Sequence, residues 1–85
     1  MTEAGLAFPC RYPVKAFIRT GAEARRAVLE EIAARAEFDP AQVRYQPSRR
    51  GRYESITVIV NARSRSHLEA VYRQLRKLDA VVMTL

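Results

Sequence analysis

The side chains best suited to recognition chemistry crowd into one short turn, Pro47-Ser48-Arg49-Arg50-Gly51-Arg52-Tyr53. Arg49, Arg50 and Arg52 surround a glycine, and Arg44 lies on the segment leading in. A guanidinium offers a planar fork of donors that matches carboxylates and phosphates, and Tyr53 beside them supplies an aromatic anchor. Nucleophilic chemistry has less to draw on. Cys10 is the only cysteine and His67 the only histidine, and a Cys–His pair needs hydrogen-bond reach plus a group that orients the imidazole. Cys10 reads instead as a small packed or lead-in residue and His67 as a surface residue at a helix start. A metal centre needs three or four ligands, more than one His and one Cys supply, and a lone cysteine makes no internal disulfide. Arg50-Gly51-Arg52 lacks the spacing of a glycine-rich phosphate cradle. The chain is therefore expected to be no enzyme, with no catalytic residues, metal or cofactor.

The elements that must hold this turn follow from periodicity. From Tyr12 the chain alternates, with Val14, Ala16 and Ile18 on one face and Lys15, Phe17 and Arg19 on the other, as in a strand with one covered face. Residues 22–37 contain no Pro or Gly and are rich in good helix formers. Ala24 (or Arg25), Val28, Leu29, Ile32, Ala33 and Ala36 make one apolar stripe, and Thr20 with Glu23 is expected to form a capping box. A weaker strand over residues 41–46 ends at Pro47, which suits a sheet edge. Beyond the hairpin, residues 53–62 run without Gly or Pro, and the β-branched run from Thr57 to Val60 suits a central strand. Ser64 or Ser66 is placed to cap a second helix striped by Leu68, Val71, Tyr72 and Leu75 and extended by Leu78. Residues 81–85 form a last strand expected to bury one face.

This order predicts an α+β fold: a ferredoxin-like βαββαβ two-layer sandwich, a four-stranded antiparallel sheet with two helices on one face. Right-handed crossovers make the first and third strands central neighbours. Residues 1–11 are expected to be an irregular lead-in and residues 12–85 a single domain. The uncovered face would display Lys15, Phe17, Arg19, Ser55, Thr57 and Ile59, with Tyr53 at its entry. Phe17 and Ile59 are expected to adjoin there and to invite a partner, most simply a second copy as a homodimer.

Composition narrows the class of partner. Fifteen Lys and Arg against nine Asp and Glu give a net charge of +6 over 85 residues, which attracts anionic partners. No apolar run approaches the roughly 18 residues of a membrane span, and MTEAGLAF lacks the pattern of a signal peptide. A cytoplasmic protein with no membrane association is expected.

Several of these segments carry a resemblance. Phe8-Pro9-Cys10, Pro13-Val14-Lys15, the hairpin from Pro47 to Tyr53 with Ser55 and Thr57, and the ending Val81-Val82-Met83-Thr84-Leu85 resemble, in order and over nearly the whole chain, the YbeD-like (DUF493) bacterial family. The resemblance implies a ferredoxin-like sandwich similar to the ACT regulatory domain and brings no established activity or catalytic residues. The RRM module shares this topology and reads single strands with aromatics on its central strands. Here the aromatic after Arg50-Gly51 comes one place late, at Tyr53, and Glu54 is expected to oppose phosphate. The expected function is a regulatory or protein-interaction adaptor whose hairpin meets an acidic protein surface through Arg49, Arg50 and Arg52, with Arg44 leading in and Tyr53 as anchor, while Lys15, Phe17 and Ile59 are further candidate interaction residues on the open face. The alternatives are metabolite sensing in the manner of ACT domains, or single-stranded nucleic-acid binding by the basic hairpin and open sheet face.

Overall fold

In the computed structural model, which describes residues 6–85, two long strands form the spine. β1 (Cys10–Arg19) and β3 (Tyr53–Ala62) pair antiparallel over their whole length, from Cys10 opposite Ala62 to Arg19 opposite Tyr53. β2 (Arg44–Pro47) pairs with the outer edge of β3 and β4 (Val81–Thr84) with that of β1, giving the order β2-β3-β1-β4. Helices α1 (Ala22–Ala33) and α2 (Arg65–Leu75) follow β1 and β3 and cover one face. The architecture is the ferredoxin-like α+β sandwich.

Strand alternation and helix stripes meet in one core. Val14, Ala16 and Ile18 of β1, Ile56, Val58 and Val60 of β3, Val28 and Ile32 of α1, and Val71 and Leu75 of α2 are each at most 1% exposed. Burial of this kind contributes about 25 cal/mol per Å² of apolar surface removed from water and fixes the register, because a one-residue slip would turn each strand's apolar set outward.

The edges of the elements depart from periodicity. β1 begins at Cys10, two residues before Tyr12, and residues 1–5 of the expected lead-in lie outside the described residues. α1 stops at Ala33 rather than running to residue 37. Asn61 N–H donates to the Glu37 carbonyl, and Phe38 bridges to Val60 and packs on the core. Sheet pairing and the burial of Phe38 thus outweigh the helical propensity of these residues. Asp39 caps a 3-10 turn at Pro40–Gln42 by accepting from Ala41 N–H, which delays β2 to Arg44. Thr20 makes no capping box: Gly21, at φ 135°, is the N-cap of α1, and no side chain caps it. β4 buries less than expected, for Val81 packs on the core while Val82, Met83 and Leu85 are at least 50% exposed. Much of its attachment is backbone, including Leu85 N–H to Lys15 O at 2.9 Å.

His67 is more than a surface residue. Ser64 caps α2 by accepting from His67 N–H at 3.0 Å, and the ring Nδ1 of His67 accepts from Arg63 N–H at 3.0 Å. Because Nδ1 accepts, the ring proton sits on Nε2, which donates to the Arg35 carbonyl at 2.6 Å. One imidazole therefore clasps the start of α2 to the chain leaving α1. His67→Ala should cost about 1–2 kcal/mol in urea unfolding, and Ser64→Ala about 1 kcal/mol. A His67→Ala variant as stable as wild type would show that the clasp bears no weight.

Candidate functional site

Among the described residues, the sheet face opposite the helices is left uncovered. The pairing of β1 with β3 sets Arg11 beside Asn61, Pro13 beside Ile59, Lys15 beside Thr57, Phe17 beside Ser55 and Arg19 beside Tyr53. Arg44 and Gln46 extend this face along β2, opposite Thr57 and Ser55. Met83 extends it along β4 opposite Phe17, and Leu85 follows, bonded to Lys15. A shallow groove of about 540 Å³ runs over Lys15, Arg44, Gln46, Ser55, Thr57 and Leu85.

Phe17 and Ile59 do not adjoin. The core pairing of Val14 with Val58 places Phe17 against Ser55 and Ile59 against Pro13, a separation of four residues, or about 13 Å along the strand. Phe17 instead stacks on Tyr53, ring centroids 5.6 Å apart and planes inclined by 28°. Ile59 is half-buried beside Pro13, away from this aromatic pair.

The charge on the face has a single sign. Arg11, Lys15, Arg19 and Arg44 project there, and among the described residues Glu54 is the only acidic residue in a strand. Glu54 shares the parity of Ile56 and points toward the helices, where it is 2% exposed. Arg25 of α1 meets it with two bonds, Nε to Oε2 at 2.6 Å and Nη2 to Oε1 at 2.7 Å. The same guanidinium lies 3.9 Å from the centre of the Tyr45 ring, a cation–π contact. The bond from Arg25 holds the Glu54 carboxyl below its usual range against the opposing effect of burial, and Glu54 in turn raises Arg25. Glu54 therefore does not oppose phosphate on the open face, contrary to expectation. Its parity with Ile56, Val58 and Val60 was the sequence signal that it must find a buried cation.

The hairpin stands at the Tyr53 end of this face. Ser48 N–H donates to Tyr53 O at 2.8 Å, Tyr53 N–H to Ser48 Oγ at 3.3 Å and Gly51 N–H to Ser48 O at 3.1 Å. Gly51 has φ 77°, a left-handed conformation that glycine adopts without a Cβ penalty. Thr20 holds the tip from outside: its hydroxyl donates to Gly51 O at 2.8 Å and its N–H to Arg52 O at 3.1 Å. Arg49, Arg50 and Arg52 are exposed and, among the described residues, have no side-chain partner. With Ser48 and Tyr53 they line a hollow of about 410 Å³. The structure thus brings Lys15, Phe17, Arg44 and Tyr53 to one face with the three hairpin arginines at its end.

The remaining chemistry is dispersed. Cys10 is half-buried opposite Ala62, and both ring nitrogens of His67 are engaged by the backbone. Among the described residues no group of three or more His, Cys, Asp and Glu is placed to hold a metal ion, and no helix is long and apolar enough to cross a membrane. A cleft of about 640 Å³ lies between the β1–α1 turn and the α2–β4 connection, walled by Ala24, Ala27, Leu78 and Ala80 with Arg19, Glu23 and Asp79 among its lining.

The sequence matches, over residues 3–85, the family model described as a protein of unknown function, DUF493. The chain belongs to the DUF493 family. Similar DUF493 relatives include a UPF0250 protein of Paraburkholderia phymatum, 33% identical over 76 residues that cover 88% of this chain and 85% of that protein. A UPF0250 protein of Vibrio cholerae is 35% identical over 80 residues, covering 94% and 86%. The solution structure of protein HP0495 from H. pylori superposes with a TM-score of 0.72 at 18% identity, covering 94% of this chain and 85% of that one. That likeness establishes the fold of this DUF493 protein.

Proposed function

We propose that this DUF493 protein is a non-catalytic adaptor whose open sheet face and arginine hairpin dock an acidic surface of a partner protein. The observation that carries this reading is the single sign of charge: among the described residues, strands and hairpin present only cations around the Phe17–Tyr53 pair, and the one strand carboxylate is turned inward and neutralised by Arg25. Long-range attraction of this kind speeds encounter and rejects like-charged surfaces. It also argues against a second copy as the occupant, because a two-fold face-to-face pairing would bring the cationic face of one copy, with Lys15, Arg19 and Arg44, against the same cationic face of the other. Nucleic acid is the less favoured anion, since the stacked rings of Phe17 and Tyr53 occupy a face of each other that bases would need. The 640 Å³ cleft has room for a metabolite, yet among the described residues no buried side-chain polar atom lacks a partner, so nothing there points to a ligand.

The test is affinity capture from native lysate with wild type and an Arg49/Arg50/Arg52→Ser variant, with and without nuclease and over a salt series. The expected result is a protein that wild type retains after nuclease treatment and the variant loses. Capture that disappears with nuclease and falls steeply with salt would transfer the function to nucleic acid. Equal recovery by both versions would remove the hairpin from recognition altogether.

A further inference from the structure

The apolar members of the open face are not scattered. Tyr53 on β3, Phe17 on β1, Met83 on β4 and then Leu85 step across three adjacent strands on the uncovered side. Tyr53 is 37%, Met83 52% and Leu85 58% exposed. The row crosses two inter-strand spacings and about four residues of strand, so it is about 17 Å long and oblique to the strands. That length corresponds to about 11 residues of α-helix, three turns, which is the reach of an apolar stripe at i, i+4, i+7 and i+11.

Charge lines both sides of the row. Lys15 and Arg19 flank Phe17 two residues away on the same face of β1, and Arg52 adjoins Tyr53 at the hairpin end. None of the three has a side-chain partner among the described residues. An occupant that fills the row must therefore carry carboxylates beside its apolar stripe. Strand addition is a poor alternative. The two edge strands, β2 and β4, have only four residues each and β2 ends in Pro47, and the stretch of β1 that β4 leaves unpaired contains Pro13, which has no N–H to donate. A helix laid on the face needs no sheet edge and adds a layer to a sheet that is covered on one side only.

We infer that the open face is a seat for an amphipathic helix of a partner protein, its apolar stripe on Tyr53, Phe17, Met83 and Leu85 and its flanking acids on Lys15, Arg19 and the hairpin arginines. This rests on the acidic-docking reading and specifies the partner within it. The apolar row holds the helix and so governs dissociation, while the arginines govern encounter rate and its dependence on salt.

The experiment uses the full 85-residue chain, 15N-labelled, titrated with three probes. The first is a synthetic amphipathic peptide of about 16 residues, long enough for a helix to form on contact, with a leucine stripe flanked by glutamates. The second has the same composition but with its leucines spread round the helix, and the third is an oligothymidylate. The expected result is saturable amide shifts at Lys15, Phe17, Arg19, Tyr53 and Met83 with the first peptide, and affinity at least about tenfold weaker with the second. Phe17→Ser, and independently Met83→Ser in case the first variant folds poorly, should each weaken the first peptide by about tenfold. Equal binding of both peptides overturns the helix seat and leaves the acidic docking surface standing. Shifts with neither peptide overturn both readings. Shifts at these residues with the oligothymidylate alone replace both with single-stranded nucleic-acid binding.

Discussion

Replacing Arg25 by alanine should lower the melting midpoint at neutral pH more than replacing its partner Glu54 does. The two residues share the same bonds, but they are not equally buried: the Glu54 side chain is 3% exposed and that of Arg25 41%. Without Arg25 a carboxylate is stranded under the helices with no cation. Without Glu54 the guanidinium swings into water. Arg25→Ala should cost about 10 °C and Glu54→Ala about half of that, in keeping with the penalty for an uncompensated buried charge. The pH dependence separates the mechanisms. In the wild type Arg25 holds Glu54 below its usual pKa, so the pair's contribution is complete above the ordinary carboxylate range and is lost as pH falls through the lowered value. In Arg25→Ala burial acts alone and pushes the carboxyl up, so the penalty is greatest at neutral pH and shrinks as the group takes a proton. Thermal melts from pH 7 downward should therefore show the variant and wild type converging. If Arg25→Ala and Glu54→Ala melt together at every pH, the pair is not a buried lock.

A second large effect should fall on α2. Leu75 is fully buried, at 0% exposure, and Leu75→Ala is expected to cost about 2–5 kcal/mol through lost contacts and a residual cavity. That is a large share of the about 5–15 kcal/mol that holds a domain together. Met83→Ala, at a half-exposed position on the open face, should change stability by at most about 0.5 kcal/mol. Urea unfolding with an unchanged denaturant slope is the measurement. Should Met83→Ala prove as costly as Leu75→Ala, Met83 is already covered by something, and a midpoint that rises with protein concentration would identify that cover as another copy.

The sequence made the interior legible because burial imposes a period. Val14, Ala16 and Ile18 repeat every second residue, and Leu68, Val71 and Leu75 repeat every third or fourth, so their neighbours could be named without coordinates. What depends on register between strands was hidden. Phe17 and Ile59 share a face, but only the pairing of Lys15 with Thr57 shows that they stand apart. Local polar bonding was hidden for another reason. Thr20 has the right spacing to Glu23 for a capping box, yet its hydroxyl bonds Gly51, a residue thirty-one places away. The cationic cluster at residues 49–52 could be read directly. The inward turn of Glu54, which leaves that cluster unopposed, follows from its parity with Ile56, Val58 and Val60.

The grip of Thr20 on the hairpin tip bears on how recognition is shared along the chain. A loose arginine turn must give up backbone freedom when it binds, at about 1–2 kcal/mol per residue ordered. Here the tip is already fixed by Thr20 to Gly51 and Arg52 and by Gly51 to Ser48, so the proposed docking would have only the arginine rotamers left to order. On the proposed docking, the hairpin would meet its partner as a rigid template. Part of the selectivity proposed for it would then be encoded in the β1–α1 turn, at a threonine distant in sequence from the arginines it holds in place.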